Sequence, residues 1–96
     1  MAIYISLIKF TGAGIKSIKD SPKRAQAFRE MAQKKGVKVR DIYWCLGRYD
    51  IVTILEGDDE AVAALGLTSG SLGNVRTENL CAMDQEPFGR VLQKVG

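Results

Sequence analysis

The chain has 96 residues, 46% of them apolar and 26% charged, with a net charge of +3 and no histidine. That composition excludes a disordered chain and fits one domain, residues 1–96, which at this size buries about 60–65% of its unfolded surface. The lack of histidine removes histidine-ligated haem, the common zinc hydrolase sites and any Ser-His triad. No metal site and no cofactor are expected.

The first predicted element is a strand over Ala2–Phe10. Ile3, Ile5 and Leu7 fall on one side and Tyr4, Ser6, Ile8 and Phe10 on the other, so both faces are apolar. Met1–Ile8 lacks a basic leader and a small-residue cleavage pattern, and Lys9 stops the run far short of the ~20 residues of a membrane span. A cytoplasmic protein with no membrane partner is expected. Thr11–Gly14 breaks the strand.

Asp20-Ser21-Pro22 opens a helix, with Ser21 as the cap and Pro22 at the first helical position. Ala25, Phe28, Met31 and Ala32 form its apolar stripe, and Gly36 ends it. A second strand spans Val37–Leu46, and its charged first half suits an edge. Gly47-Arg48-Tyr49-Asp50 then makes a hairpin into a third strand, Tyr49–Glu56. Gly57-Asp58-Asp59-Glu60 begins a second helix with acids at its positive end. Gly66 and Gly70 should stop that helix near Leu67 or Thr68, leaving Ser69–Gly73 as loop. Asn74–Met83 reads as the fourth strand and Pro87–Val95 as a short helix in a tail over 84–96.

The order β-α-β-β-α-β with right-handed crossovers specifies an α+β, ferredoxin-like fold: a four-stranded antiparallel sheet, order 4-1-3-2, with two helices on one face. The edge strands lie about 14 Å apart. Cys45 and Cys81 therefore cannot pair within the chain, and each is expected to act as a small buried hydrophobe. Two helices cover one face only. Tyr4, Ile8 and Phe10 are expected on the other, an apolar patch that a monomer would not leave in water. A second copy is the simplest cover, giving a homodimer or a higher oligomer. Ser6, Thr53, Tyr4 and Tyr49 are then expected to line a cavity between the paired sheets.

Several residues carry two readings. Asp50 either meets a ligand, or acts as a base if burial raises its pKa, or bonds the hairpin amides. Tyr49 either points its hydroxyl into the cavity or packs as a strand aromatic. Trp44 is core, interface or ligand contact. Arg76, after the glycine-rich stretch Ser69–Asn74, either holds a small anionic ligand or pairs with nearby acids. Tyr4, Trp44, Tyr49, Asp50 and Arg76 are the candidate ligand-binding set. Ten Lys and Arg in residues 9–40, against nine acids in 41–89, read first as a solvated helix face.

Blocks in this chain resemble the GYD domain family. They are Tyr4–Thr11, Gly14-Ile15-Lys16, Asp20–Arg24, Tyr43-Trp44, Gly47–Asp50 and Gly73–Glu78, within residues 2 to about 83. The resemblance implies a ferredoxin-like dimeric α+β barrel and supplies no activity. Cys45 stands where a small polar residue is expected, and Gly66–Ser71 is richer in glycine than a good second helix. A weaker likeness joins the hairpin to the ligand-sensing domains of Lrp/AsnC-type regulators, which are dimeric sheets that bind amino acids. The functional expectation is a dimeric small-molecule-binding or sensing module. The alternative is a cofactor-free barrel-type oxygenase or isomerase using Tyr49 and Asp50. Nucleic-acid binding through the sheet is disfavoured, because the third strand lacks basic and aromatic residues in alternation.

Overall fold

The computed structural model describes residues 2–96. In chain order the elements are β1 (Ala2–Phe10), α1 (Gly12–Lys16), a 3-10 turn (Ile18–Asp20), α2 (Ser21–Lys34), β2 (Lys38–Trp44), β3 (Ile51–Gly57), α3 (Asp59–Ser71), β4 (Val75–Ala82) and α4 (Gln85–Leu92). The sheet runs β2-β3-β1-β4, which is 4-1-3-2 read from the other edge, and each neighbouring pair is antiparallel. Among the described residues, no helix is long and apolar enough to cross a membrane.

Local chemistry explains where the elements depart from expectation. The Thr11–Gly14 break is instead the start of a short helix. Thr11 caps it, accepting from the Gly14 amide at 3.1 Å and donating to the Gly73 carbonyl at 2.6 Å. Gly14 is buried so closely against the chain before β4 that a Cβ would lie 2.1 Å from the Asn74 carbonyl oxygen. Ser21 is not the cap of α2 but its first residue, and its hydroxyl serves Trp44 instead. Gly36, at φ +76°, ends α2 in a Schellman motif. Its amide reaches Gln33 O at 3.1 Å, and Val37 N reaches Ala32 O at 2.9 Å. Ala32 and Val37 are then buried together.

The second long helix does not stop near Leu67 or Thr68. It is capped by Asp58, whose carboxylate accepts from the Ala61 amide, and it continues to Ser71. Thr68 and Ser69 turn their hydroxyls back onto Ala64 O and Leu65 O, so these residues satisfy themselves inside the helix. Gly73, at φ +84°, makes the turn into β4. β2 ends at Trp44, with a bulge between Val39 and Asp41 that marks its irregular first half. β3 begins at Ile51, so Tyr49 and Asp50 belong to the hairpin loop. α4 starts earlier than expected, at Gln85, and exposes Phe88, Val91 and Leu92.

The faces of the sheet are reversed relative to expectation. Tyr4, Ser6 and Ile8 point toward the helices, beside Leu55, Thr53 and Ile51 of β3. The core forms there from Ala32, Val37, Leu55, Val62 and Leu65, with Tyr4, Phe28 and Met31 packed against it. The open face carries Ile3, Ile5 and Leu7, with Val52, Ile54 and Leu80 opposite them in register. Right-handed crossovers fix that both helices share one face. Which residues point there depends on the phase of the pleat, and apolar alternation on both sides of β1 leaves that phase undetermined. The cysteines are not buried hydrophobes: Cys45 is half-buried after β2, Cys81 is exposed on β4, and both are free.

Candidate functional site

Under α2, the helices do not close completely over the sheet. A cavity of about 280 Å³ remains. Its floor is Ile8, Ile42, Ile51, Thr53 and Thr77 of the sheet, and its roof is Ala25, Phe28 and Met31 of α2. Ser69 and Leu72, at the end of α3, and Val75, at the start of β4, complete the far side. The wall is mostly aliphatic and aromatic with a few hydroxyls, the usual make-up of a small-molecule pocket.

The hydroxyls differ in how they are satisfied. Ser69 donates to Leu65 O at 2.9 Å. Ser21, at the start of α2, accepts from the indole N–H of Trp44 at 2.9 Å. Thr53 has no partner for its Oγ1 and is only 1% exposed. An unpaired buried hydroxyl costs about 1–3 kcal/mol. Thr53 is therefore a polar group left unpaired beside the cavity, in a strand whose neighbours Ile51 and Leu55 are buried and apolar.

Arg24 stands at the rim. Its guanidinium donates to Ser17 O at 2.9 Å, to Ser17 Oγ at 3.1 Å and to Gly14 O at 3.3 Å. It lies 5.9 Å from the centroid of the Phe10 ring. These bonds tie the short helix α1 to α2 and hold the cavity mouth in shape.

Of the five candidate residues named from sequence, Tyr49, Asp50 and Arg76 gather around the end of β1, while Tyr4 and Trp44 lie elsewhere. None lines this cavity. Trp44 comes nearest, through its bond to Ser21. Tyr4 lies further along the helix-covered face and donates its hydroxyl to Asp59 Oδ1. That bond, followed by desolvation, pushes its pKa up to about 12. Asp50 stitches the hairpin to β1. Its Oδ2 accepts from Phe10 N, its own amide donates to Ile8 O, and its carbonyl accepts from Cys45 N, each at 2.8 Å. Tyr49 donates to Glu78 Oε1 at 3.0 Å, and this bond raises its pKa. Lys9 Nζ lies 5.6 Å over the Tyr49 ring. Arg76 pairs in register with Lys9, on the opposite side of β4 from Thr77. The glycine-rich stretch is not a loop cradle for an anion beside Arg76, because Ser69–Ser71 is the last turn of α3.

Of the four lining residues expected for a cavity between sheets, Thr53 lines the cavity under the helices instead. Ser6 is one row further in and donates to Asn79 Oδ1 at 2.6 Å. The signal for Thr53 was present in the sequence: it is the one polar residue among inward-facing Ile51, Thr53 and Leu55. Ser21, Phe28 and Met31 gave no such signal, since a cap and a core stripe explain them equally well. Among the described residues, no group of three or more His, Cys, Asp or Glu side chains converges on a metal-sized site.

The fold is thus a ferredoxin-like α+β sheet with a pocket beneath its first long helix. The chain belongs to the GYD domain family, whose model matches residues 4–92. A protein of Thermus thermophilus named as a glutamine synthetase and cystathionine beta-lyase binding protein is 34% identical over 85 residues, covering 86% of this chain and 90% of the relative. A feast or famine regulatory protein from M. tuberculosis, solved in complex with L-methionine, superposes with a TM-score of 0.65 at 17% identity. That match covers 88% of this chain, which spans 52% of the regulator, and it shows a shared fold.

Proposed function

We propose that this chain is a self-pairing small-molecule-binding module that reports ligand occupancy to a protein partner. The observation that carries the binding part is the cavity under α2, with the buried, unpartnered Thr53 hydroxyl in its floor. Pairing rests on the open sheet face. Ile3, Ile5, Leu7, Val52 and Ile54 are only partly buried there, and Leu80 is 44% exposed. This aliphatic centre, bordered on the same face by Lys9, Glu56, Arg76 and Glu78, is stable in water when another surface covers it. A second copy supplies the matching sheet, as in a dimeric α+β barrel. The exposed apolar side of α4 adds to the surface available for pairing.

The partner-protein part draws on the Thermus relative, whose name records binding to glutamine synthetase and cystathionine beta-lyase. The methionine complex of the structural neighbour supports the idea that this fold accommodates small ligands. The enzyme reading gains no support from geometry, since Asp50 is engaged with the backbone of β1.

The test is a thermal-shift screen of a small-molecule library, run on the wild type and on Ala25→Phe, which fills the cavity from its roof. Ligands are expected to raise the wild-type Tm and to lose that effect on the filled variant. Hits that stabilise both proteins equally would place binding elsewhere, and a screen without hits would remove the binding reading.

A further inference from the structure

The cavity mouth carries a charge that the protein does not neutralise. Arg24 lines the cavity and is half-buried. Among the described residues, no carboxylate pairs with it. Its guanidinium donates only to neutral oxygens, those of Ser17 O, Ser17 Oγ and Gly14 O. A guanidinium has five N–H donors. The bonds to Ser17 use Nη1 and the bond to Gly14 uses Nη2, so Nε–H and one Nη2–H have no partner among the described residues. Together they form one edge of the planar group, a fork that grips a carboxylate through parallel bonds. The bonds to Ser17 and Gly14 already hold the side chain in place, so little of its freedom is left to lose when a ligand meets that edge.

The surroundings favour an anion over a cation. Residues 11–29 hold one acid, Asp20, against Lys16, Lys19, Lys23, Arg24 and Arg29, and such an excess draws small anions toward it. Among the described residues, no Asp, Glu or Lys lines the cavity. Asn74 adds a polar residue at the same corner, since Gly14, whose carbonyl accepts from Arg24, lies against it. Inward from this corner the lining is mainly aliphatic and aromatic, with Ile8, Ala25, Phe28, Met31 and Ile51.

We infer that the cavity takes an amphipathic monocarboxylate, with its carboxylate on the free edge of Arg24 and its apolar body inward against Ile8, Phe28, Met31 and Ile51. This names the ligand class of the site proposed above and rests on that reading. The volume of about 280 Å³ lies at the lower edge of the range for ligand pockets, about 300–1,000 Å³. It suits a short aliphatic or single aryl body rather than a nucleotide or a sterol. An α-amino acid fits less well, because its ammonium would sit beside Arg24 with no carboxylate to meet. Arg76, the cation singled out from sequence, is on the other face of β4 and takes no part.

Trp44 is the single tryptophan, and it reports on the site through its bond to Ser21, which lines the cavity. Heptanoate, 1-heptanol, 2-aminoheptanoate and acetate are each titrated against Trp44 emission and by calorimetry. Heptanoate is expected to saturate and to bind roughly tenfold tighter than each of the other three, the size of one hydrogen bond to a charged group. Arg24→Lys keeps the charge and loses the fork, and should weaken heptanoate roughly fivefold while leaving heptanol unchanged. Arg24→Gln should bring heptanoate down to the level of heptanol. Heptanol binding as tightly as heptanoate would overturn the anionic head and leave the cavity as a binding site. Acetate binding as tightly as heptanoate would overturn the apolar body, and 2-aminoheptanoate doing so would overturn the exclusion of amino acids. Loss of heptanol together with heptanoate in Arg24→Lys would make Arg24 a strut of the mouth and overturn its role as head-group partner. Failure of heptanoate to bind would overturn the class, while the library screen with Ala25→Phe decides separately whether the cavity binds anything.

Discussion

The two faces of this sheet differ in how completely they are covered and in where their polar exceptions lie. On the helix-covered face, Ser6 and Thr53 are exposed by only 2% and 1%. On the open face, Ile3, Ile5, Leu7, Val52 and Ile54 all retain partial contact with solvent. The covered face buries Ile8, Ile51 and Leu55 and leaves a cavity under α2, while the open face carries an aliphatic centre bordered by Lys9, Glu56, Arg76 and Glu78. On the function proposed above, the first face would hold a small molecule and the second would meet another copy of the chain. Their backs share the same four strands, so a change on one is one residue away from the other.

The comparison breaks most visibly on the open face. Ile5→Glu sets a carboxylate amid the aliphatic residues there, opposite Ile54 and Leu80 in register. Light scattering is expected to read twice 10.5 kDa for the wild type and 10.5 kDa for the variant. A wild-type mass of 10.5 kDa at micromolar concentration would remove the second copy from the open face.

A smaller effect is expected where the faces meet at the end of β1. Asp50→Ala removes the carboxylate that accepts from Phe10 N. Hydrogen bonds to charged groups contribute about 1.5–3 kcal/mol, and urea unfolding should report a loss in that range. Ligand binding under α2 should be unchanged, because Asp50 does not line the cavity. A loss of binding without a loss of stability would return Asp50 to a functional role.

The smallest effect is in the response to alkali. Tyr4 donates to Asp59, and its pKa rises from 10.0 to about 12. A group whose folded pKa is raised contributes stability that is full below its unfolded value and is lost as pH climbs through the folded one. The contribution of Tyr4 is therefore complete below pH 10 and disappears between pH 10 and about 12. Tyr4→Phe should flatten part of the fall in Tm across that window. Tyr49, bonded to Glu78, also has a raised pKa, so some slope should survive the substitution. An unchanged slope would mean that the Tyr4–Asp59 bond adds nothing to the fold.

Much of the architecture was readable from local chemistry. β1 runs over Ala2–Phe10 because both alternating sets are strand formers. Gly36 could be read as the end of α2 because a positive φ closes its Schellman turn. Acids at the start of α3 marked its beginning, and the glycines misled about its end, since Thr68 and Ser69 bond back to their own helix. The candidate site was less readable. Tyr49 and Asp50 attract notice as polar residues in a hairpin, yet Asp50 holds backbone and Tyr49 meets Glu78. Thr53 was legible as a polar exception in a buried strand. Its companions Phe28, Met31 and Ser21 looked like core and cap because their spacing is the same in either role.

The sequence by itself determined the element order, the antiparallel pairing and the sharing of one face by both helices, because periodicity, turn residues and crossover handedness are local or chiral properties of the chain. Only the tertiary structure decided which side of β1 meets the helices, and with it the place of the cavity. That choice turns on the phase of the pleat, and a strand apolar on both faces carries no local signal of its phase. The same packing left Thr53 without a partner, a property that belongs to the space around a residue rather than to the residue.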